Sequence, residues 1–175
     1  MKHLCLALVL LFTCSIAQAQ ITLPENQSRF SLNGNLTYEG LSGLSGELNL
    51  GVKFGNNYSA YFGVGGNGQF HKYVRTGVMR TVYQRNRFAA NAGLGAAHHR
   101  YDYSLFSQGT LKTIDLEASL QLDYQINSNF SVNLGGRIHR NLYRKERDYS
   151  YGNRMSFQPV LTLGATYHFG RNGRK

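Results

Sequence analysis

An alternation of apolar and polar residues runs through most of this chain, and it constrains the fold more than any other feature. It is plainest from Ile114 to Ile126. Ile114, Leu116, Ala118, Leu120, Leu122 and Tyr124 take one set of positions, and Asp115, Glu117, Ser119, Gln121, Asp123 and Gln125 take the other. Successive side chains of a strand point to opposite faces, so a period of two means a strand with one apolar and one polar face. The segment Leu44 to Phe54 repeats the pattern, with Leu44, Gly46, Leu48, Leu50, Val52 and Phe54 on one side and Ser45, Glu47, Asn49, Gly51 and Lys53 on the other. Beyond residue 19 there is no unbroken apolar run of the length a membrane helix needs.

Applied along the chain, the same period predicts eight strands, at 29–39, 44–54, 58–71, 73–83, 88–99, 112–126, 130–142 and 156–169. The fourth fits least well. Val74, Thr76, Val78, Arg80 and Val82 oppose Arg75, Gly77, Met79, Thr81 and Tyr83, and neither set is cleanly apolar, which suggests a bulge. Short polar turns follow strands two, four and six: Gly55-Asn56-Asn57, Gln84 to Arg87, and Asn127-Ser128-Asn129. Longer stretches follow strands five and seven, from Arg100 to Leu111 and from Tyr143 to Met155. The expected fold is therefore all-β: an eight-stranded antiparallel up-and-down transmembrane β-barrel, with short turns on one rim and longer loops on the other.

The first nineteen residues have a different character. Lys2 and His3 precede an apolar run from Leu4 to Phe12, and Ala17-Gln18-Ala19 has the small-x-small form of a signal-peptide cleavage site. The expected organisation is a signal peptide at 1–19, a short periplasmic segment at 20–28, the barrel at 29–169 and a basic tail at 170–175. Both cysteines, Cys5 and Cys14, fall in the signal, so no disulfide or thiolate metal site is expected in the mature chain. The whole chain carries a formal charge of +10, and the signal contributes only Lys2 to it. Such an excess suits an anionic partner, and in an exported protein lipopolysaccharide phosphate is a better candidate than nucleic acid.

Three features favour a membrane barrel over a soluble one. Aromatic residues flank each short turn, as Phe54 and Tyr58, Tyr83 and Phe88, and Tyr124 and Phe130, where an interfacial girdle belongs. The polar face holds long charged groups, among them Glu47, Lys53, Glu117 and Arg137, which a small ligand-binding core would rarely accept. The last strand also has a particular form: Thr162, Gly164, Tyr167 and Phe169 fit polar-x-Gly-x-x-hydrophobic-x-hydrophobic. That ending resembles the carboxy-terminal signal by which the barrel-assembly machinery recognises outer-membrane barrels. Nearly all of the mature chain is similar in pattern and length to the small OmpA/OmpX-type barrels. The resemblance implies a bacterial outer-membrane location with both chain ends in the periplasm. One departure is that residues Gly170 to Lys175 follow the terminal aromatic.

Candidate functional residues fall into two groups. The three-residue turn between strands six and seven sets their register, and if Ile126 faces Phe130, then Glu117 faces His139 and lies diagonal to Arg137. With Glu47, these residues make a lumen charge cluster, read as a structural plug or, more sharply, as a Glu–His acid–base pair. The second group is basic and lies toward the long loops: Arg100, Arg144, Lys145, Arg147 and Arg154, interleaved with Tyr149 and Tyr151. It suits contact with lipopolysaccharide or a protein surface. No cofactor is expected. No metal is expected either, because the adjacent His98 and His99 would point to opposite faces of a strand. The His-x-Ser pair of lipid A deacylase barrels is absent. A palmitoyltransferase-like site would need His, Asp and Ser converging at the outer rim. His99, Asp102 and Ser104 lie together in sequence only as polar loop residues often do, so they are not taken as that site. The expected role is a non-enzymatic barrel with structural or surface-contact duties. A lipid A-modifying enzyme and a narrow small-solute pore are the alternatives.

Overall fold

A computed structural model describes residues 30–40, 43–55, 57–68, 70–103, 109–147 and 157–169. The expected signal peptide, the segment 20–28, the tail 170–175 and Arg154 lie outside the described residues. Eight strands follow one another: β1 (Phe30–Glu39), β2 (Gly43–Phe54), β3 (Tyr58–Gly66), β4 (His71–Arg85), β5 (Phe88–Tyr103), β6 (Gly109–Gln125), β7 (Phe130–Arg147) and β8 (Phe157–Phe169). Each pairs antiparallel with the next, and β8 pairs back with β1, so the sheet closes into a barrel with no free edge.

The strands expected from the sequence are all present, with shifted ends. Strand β3 stops at Gly66 rather than running to residue 71. Gly68 takes a positive φ of 81°, and the Asn67 side-chain oxygen accepts the backbone N–H groups of Phe70 and His71, which turns the chain early. Strands β5, β6 and β7 run longer than expected, to 16, 17 and 18 residues. The stretches read as long loops are thus partly wall: Arg100, Arg144, Lys145 and Arg147 stand on strands. Local polarity suggested loop, but the pairing of β5 with β6 and of β6 with β7 continues through it.

Two bulges break the alternation. On β4 the register with β5 shifts between Thr81 and Tyr83, so Val82 is extra, and Val82 and Tyr83 both face outward at 56% and 54% exposure. That is why neither face of the fourth strand reads as apolar throughout. A second bulge, not expected from the sequence, lies on β7. Ile114 pairs with Tyr143 while Asp115 pairs with Asn141, leaving Leu142 extra. A one-residue insertion exchanges the faces beyond it. Tyr143 and Lys145 turn outward, and Arg144 turns to the lumen side, where it pairs with the buried Thr113 and is half-buried.

The barrel is inverted relative to a water-soluble protein. Its outside carries Leu36, Leu48, Leu50, Phe62, Leu94, Leu116, Leu120, Leu122, Leu134, Ile138, Leu161 and Leu163, all exposed. Its buried interior is largely polar, including Asn35, Glu47, Asn49, Arg75, Asp115, Glu117, Asn133, Arg137 and His139. Exposed apolar surface on this scale is stable only against lipid. Toward the short turns the outer face ends in aromatic rings: Phe54 stacks on Tyr58, Phe88 tilts against Tyr124, and Tyr167 meets Phe169 edge-on at 5.0 Å.

Candidate functional site

The interior of the barrel is occupied at mid-height by a network that ties six strands together, β1 to β4 with β6 and β7. Glu47 of β2 is its hub. One of its oxygens accepts from Asn35 at 3.0 Å, Asn49 at 2.7 Å and Arg75 at 3.0 Å, and the other takes the Tyr73 hydroxyl at 2.7 Å and Arg137 at 2.6 Å. Arg75 of β4 reaches onward. It donates through Nε to Glu117 Oε2 at 3.0 Å and through Nη2 to the Tyr61 hydroxyl at 2.9 Å, with its guanidinium 4.5 Å from the centre of the Tyr61 ring. Glu117 of β6 also faces His139 of β7, with Oε1 3.3 Å from His139 Nε2. Charges removed from water need partners of this kind, and the Arg75 fork supplies them in fixed directions.

This arrangement differs in one respect from the sequence expectation. The β6–β7 register does set Glu117 across from His139 and Ser119 across from Arg137. Yet Arg137 turns to Glu47, and the guanidinium beside Glu117 comes from Arg75 across the lumen. Pairing across a hairpin can be counted from the turn, but contact across the lumen depends on barrel closure and shear. Two glycines make room for the network. A Cβ on Gly77 or Gly95 would come within 2.5 Å of the Tyr61 hydroxyl, so both positions admit no side chain while that ring stays in place.

Toward the long loops, the next layer is built of histidines and tyrosines. His71 of β4 stacks on Tyr101 of β5 at 4.3 Å between ring centres, and its Nε2 is 2.9 Å from His99 Nδ1. Tyr101 donates to Glu39 at 3.2 Å. His99 Nε2 lies 3.6 Å from Asp115 Oδ2, whose carboxylate also accepts from Asn141 at 3.1 Å through Oδ1. His98 and His99 point to opposite faces, the first exposed and the second 2% exposed. His71, Tyr73, Arg75 and Asp115 were not singled out as site residues by sequence reasoning. Their inward parity on β4 and β6 is legible, but Tyr73 and Arg75 meet partners on the non-adjacent strands β2 and β6. Toward the short turns, the lumen opens into a polar cavity of about 230 Å³ lined by Asn33, Asn49, Lys53, Asn91, Gln121 and Asp123 among others.

The outer face carries a second constellation, near the long-loop end. Lys72 of β4 pairs with Arg100 of β5, Arg100 with Lys112 of β6, and Lys112 with Lys145 of β7. All four are exposed on the outward side. Like charges directly across strands repel. Asp102 offsets Arg100 at 2.9 Å, and the three lysines remain costly unless a further anion lies against them. From Tyr124 in the aromatic girdle to Lys112, β6 climbs roughly 30 Å along the membrane normal at about 3.3 Å per residue and about 40° tilt, close to the thickness of a hydrocarbon layer. Of the basic residues named from sequence, Arg100 and Lys145 belong to this row. Arg144 does not, because the β7 bulge turns it inward. Arg147 ends β7 beside Thr110, and Arg154 is outside the described residues. Lys72 and Lys112 complete the row and were not named.

The other sequence candidates are placed as follows. On β8, Thr162 is buried against the lumen and Gly164 lies beside Asn35, while Tyr167 and Phe169 face outward, each 45% exposed. His99, Asp102 and Ser104 do not form a described constellation. His99 is enclosed with His71, Asp102 pairs with Arg100 at 2.9 Å, and Ser104 is outside the described residues.

A closed antiparallel barrel with an apolar outside and an ion-paired inside is a transmembrane β-barrel of the smallest kind, with eight strands. No protein-family model matches the chain, and no curated protein matches it in sequence. Among solved structures it is similar to the N-terminal β-barrel domain of Pseudomonas aeruginosa OprF, at 12% identity over 82% of this chain and 98% of that one, with a TM-score of 0.67. It is also similar to a major outer membrane protein from Thermus thermophilus, at 14% identity over 81% and 99% of the two chains, with a TM-score of 0.55. A third is the Yersinia pestis outer membrane protein Ail in a phospholipid bilayer nanodisc, at 13% identity over 82% and 100%, with a TM-score of 0.51. At these identities the likeness is one of fold.

Proposed function

We propose that this protein is a non-enzymatic barrel of a bacterial outer membrane whose outward basic row holds lipopolysaccharide phosphates at the outer leaflet. The observation that carries this is the side-by-side placing of Lys72, Arg100, Lys112 and Lys145 on the lipid-facing wall. Guanidinium and ammonium groups at that height suit the phosphates of lipid A, and an anion there relieves their mutual repulsion. In this reading the aromatic girdle marks the periplasmic interface. Both chain ends lie on that side, and Thr162, Gly164, Tyr167 and Phe169 are the strand read by the barrel-assembly machinery. The similarity to barrels named as outer membrane proteins supports the location.

The test is retention of lipid. Barrel purified from outer membranes is exchanged through detergent, and bound lipid A is measured by mass spectrometry. Wild type should keep at least one lipid A per chain, and a variant with Lys72, Arg100, Lys112 and Lys145 all changed to Gln should lose most of it. Retention of lipid A by that variant equal to wild type would sink the proposal. An altered acyl pattern of lipid A in cells making the protein would instead favour a lipid-modifying enzyme.

A further inference from the structure

Inside the barrel, three buried groups converge without hydrogen-bond partners for the atoms they aim at one another. His99 Nε2, Glu117 Oε1 and His139 Nε2 are all enclosed and unsatisfied. The residues are 2%, 1% and 3% exposed, and each offers a ligand atom within 4.8 Å of the other two. Buried polar atoms left in this condition are costly, and three of them facing one point call for an occupant. We infer that His99, His139 and Glu117 form a site for a single divalent transition-metal ion within the lumen.

The spacing suits an ion better than direct bonding. Ligand atoms held at about 2.0–2.1 Å from a tetrahedral zinc lie roughly 3.3–3.4 Å apart. His139 Nε2 and Glu117 Oε1 are 3.3 Å apart, and a ligand atom of His99 lies within 4.8 Å of both residues' ligand atoms. Asp115 stands beside the site, with Oδ2 3.6 Å from His99 Nε2 and 3.9 Å from His139 Nδ1. Two imidazoles with one carboxylate are a donor set for zinc or another late first-row divalent ion, with the fourth position left to solvent.

The surroundings orient the ligands. Coordination through His99 Nε2 requires its proton on Nδ1, and Nδ1 meets His71 Nε2 at 2.9 Å. The far nitrogen of His71 faces Glu39 at 3.8 Å. A ligand histidine whose second ring N–H is held by an acceptor is the usual outer arrangement of such sites, and here that acceptor is the His71 imidazole. Glu117 is held the same way, with Oε2 on Arg75 and Oε1 free to turn toward the ion. The local charge permits a dication: Glu39, Glu47, Asp115 and Glu117 line the same lumen as Arg75 and Arg137, with Arg144 on the lumen side of β7. The site is independent of the basic row on the outer wall.

The experiment uses the full mature barrel, refolded with and without Zn²⁺, desalted and checked for folding by its heat-sensitive gel mobility. Metal per folded chain is then measured by elemental mass spectrometry. Wild type should keep about one zinc per chain. So should His98→Ala, whose imidazole faces outward, whereas His99→Gln and His139→Gln should each lose it. X-ray absorption of the zinc-loaded wild type covers the case where those variants fail to fold, and should show imidazole and oxygen ligands. A folded wild type that keeps no zinc, zinc retained in both lumen variants, or a spectrum without imidazole would each overturn the inference.

Discussion

At the scale of single residues, Glu47 is the group on which the interior depends. It meets five donors, two of them buried guanidiniums, and its side chain has no exposed surface. Replacing it by Gln keeps the shape but leaves Arg75 and Arg137 facing a neutral amide. Removing one partner of a buried ion pair costs on the order of 3–5 kcal/mol. Glu47→Gln should therefore lower the urea midpoint for unfolding from vesicles sharply. Asp102→Asn breaks the more exposed pair with Arg100 and should cost about 1 kcal/mol or less. Equal losses for the two variants would mean that the lumen network contributes no more than a surface pair. The sequence showed that Glu47, Glu117 and Arg137 share the inward parity of their strands. It did not show that Glu47 and Arg137 meet, because β2 and β7 are brought together only by closure.

At the scale of elements, the bulge at Leu142 decides which side chains meet lipid. Without it, strict alternation from Arg137 and His139 would send Arg144 outward and Lys145 inward. With it, Lys145 joins Lys72, Arg100 and Lys112 on the outer wall. Single cysteines can check this, since the only native cysteines are Cys5 and Cys14. In a folded barrel reconstituted in detergent micelles, Lys145→Cys should react readily with a bulky maleimide and Arg144→Cys slowly. The reverse order would show that the strand runs without a bulge. Bulges are hard to read from sequence because one added residue looks like a lapse in pattern. At Val82-Tyr83 the lapse was legible, since two apolar residues adjoin. At Leu142-Tyr143 the same signal was present, but the surrounding charges suggested a loop instead.

At the scale of the whole molecule, the long strands β5 to β7 raise one side of the wall above the apolar belt, and the lumen is unequal along its axis. Ion pairs cross it at mid-height, rings fill it toward the loops, and a polar cavity of about 230 Å³ lies toward the short turns. A barrel of eight strands has an interior that side chains can fill, and here Arg75, Arg137, Glu47 and Glu117 fill it. Planar bilayers containing the protein should show no steady conductance. A reproducible open level in wild type would mean that the network parts, and would favour a small-solute pore.

The sequence by itself determined the strand count, the face of most residues and the register of β6 on β7 as far as the Leu142 bulge. These are local properties: a period of two sets the faces, and a short turn sets the pairing. Only the tertiary structure decided which inward residues touch. Arg75 reaches Glu47 and Glu117, and His99 approaches His139, because closure with a given shear brings distant strands to one height. The outer basic row lies between. Its members are on adjacent strands, so pairing alone would have revealed it, had the polar stretches around Arg100 and Lys145 been read as wall rather than loop.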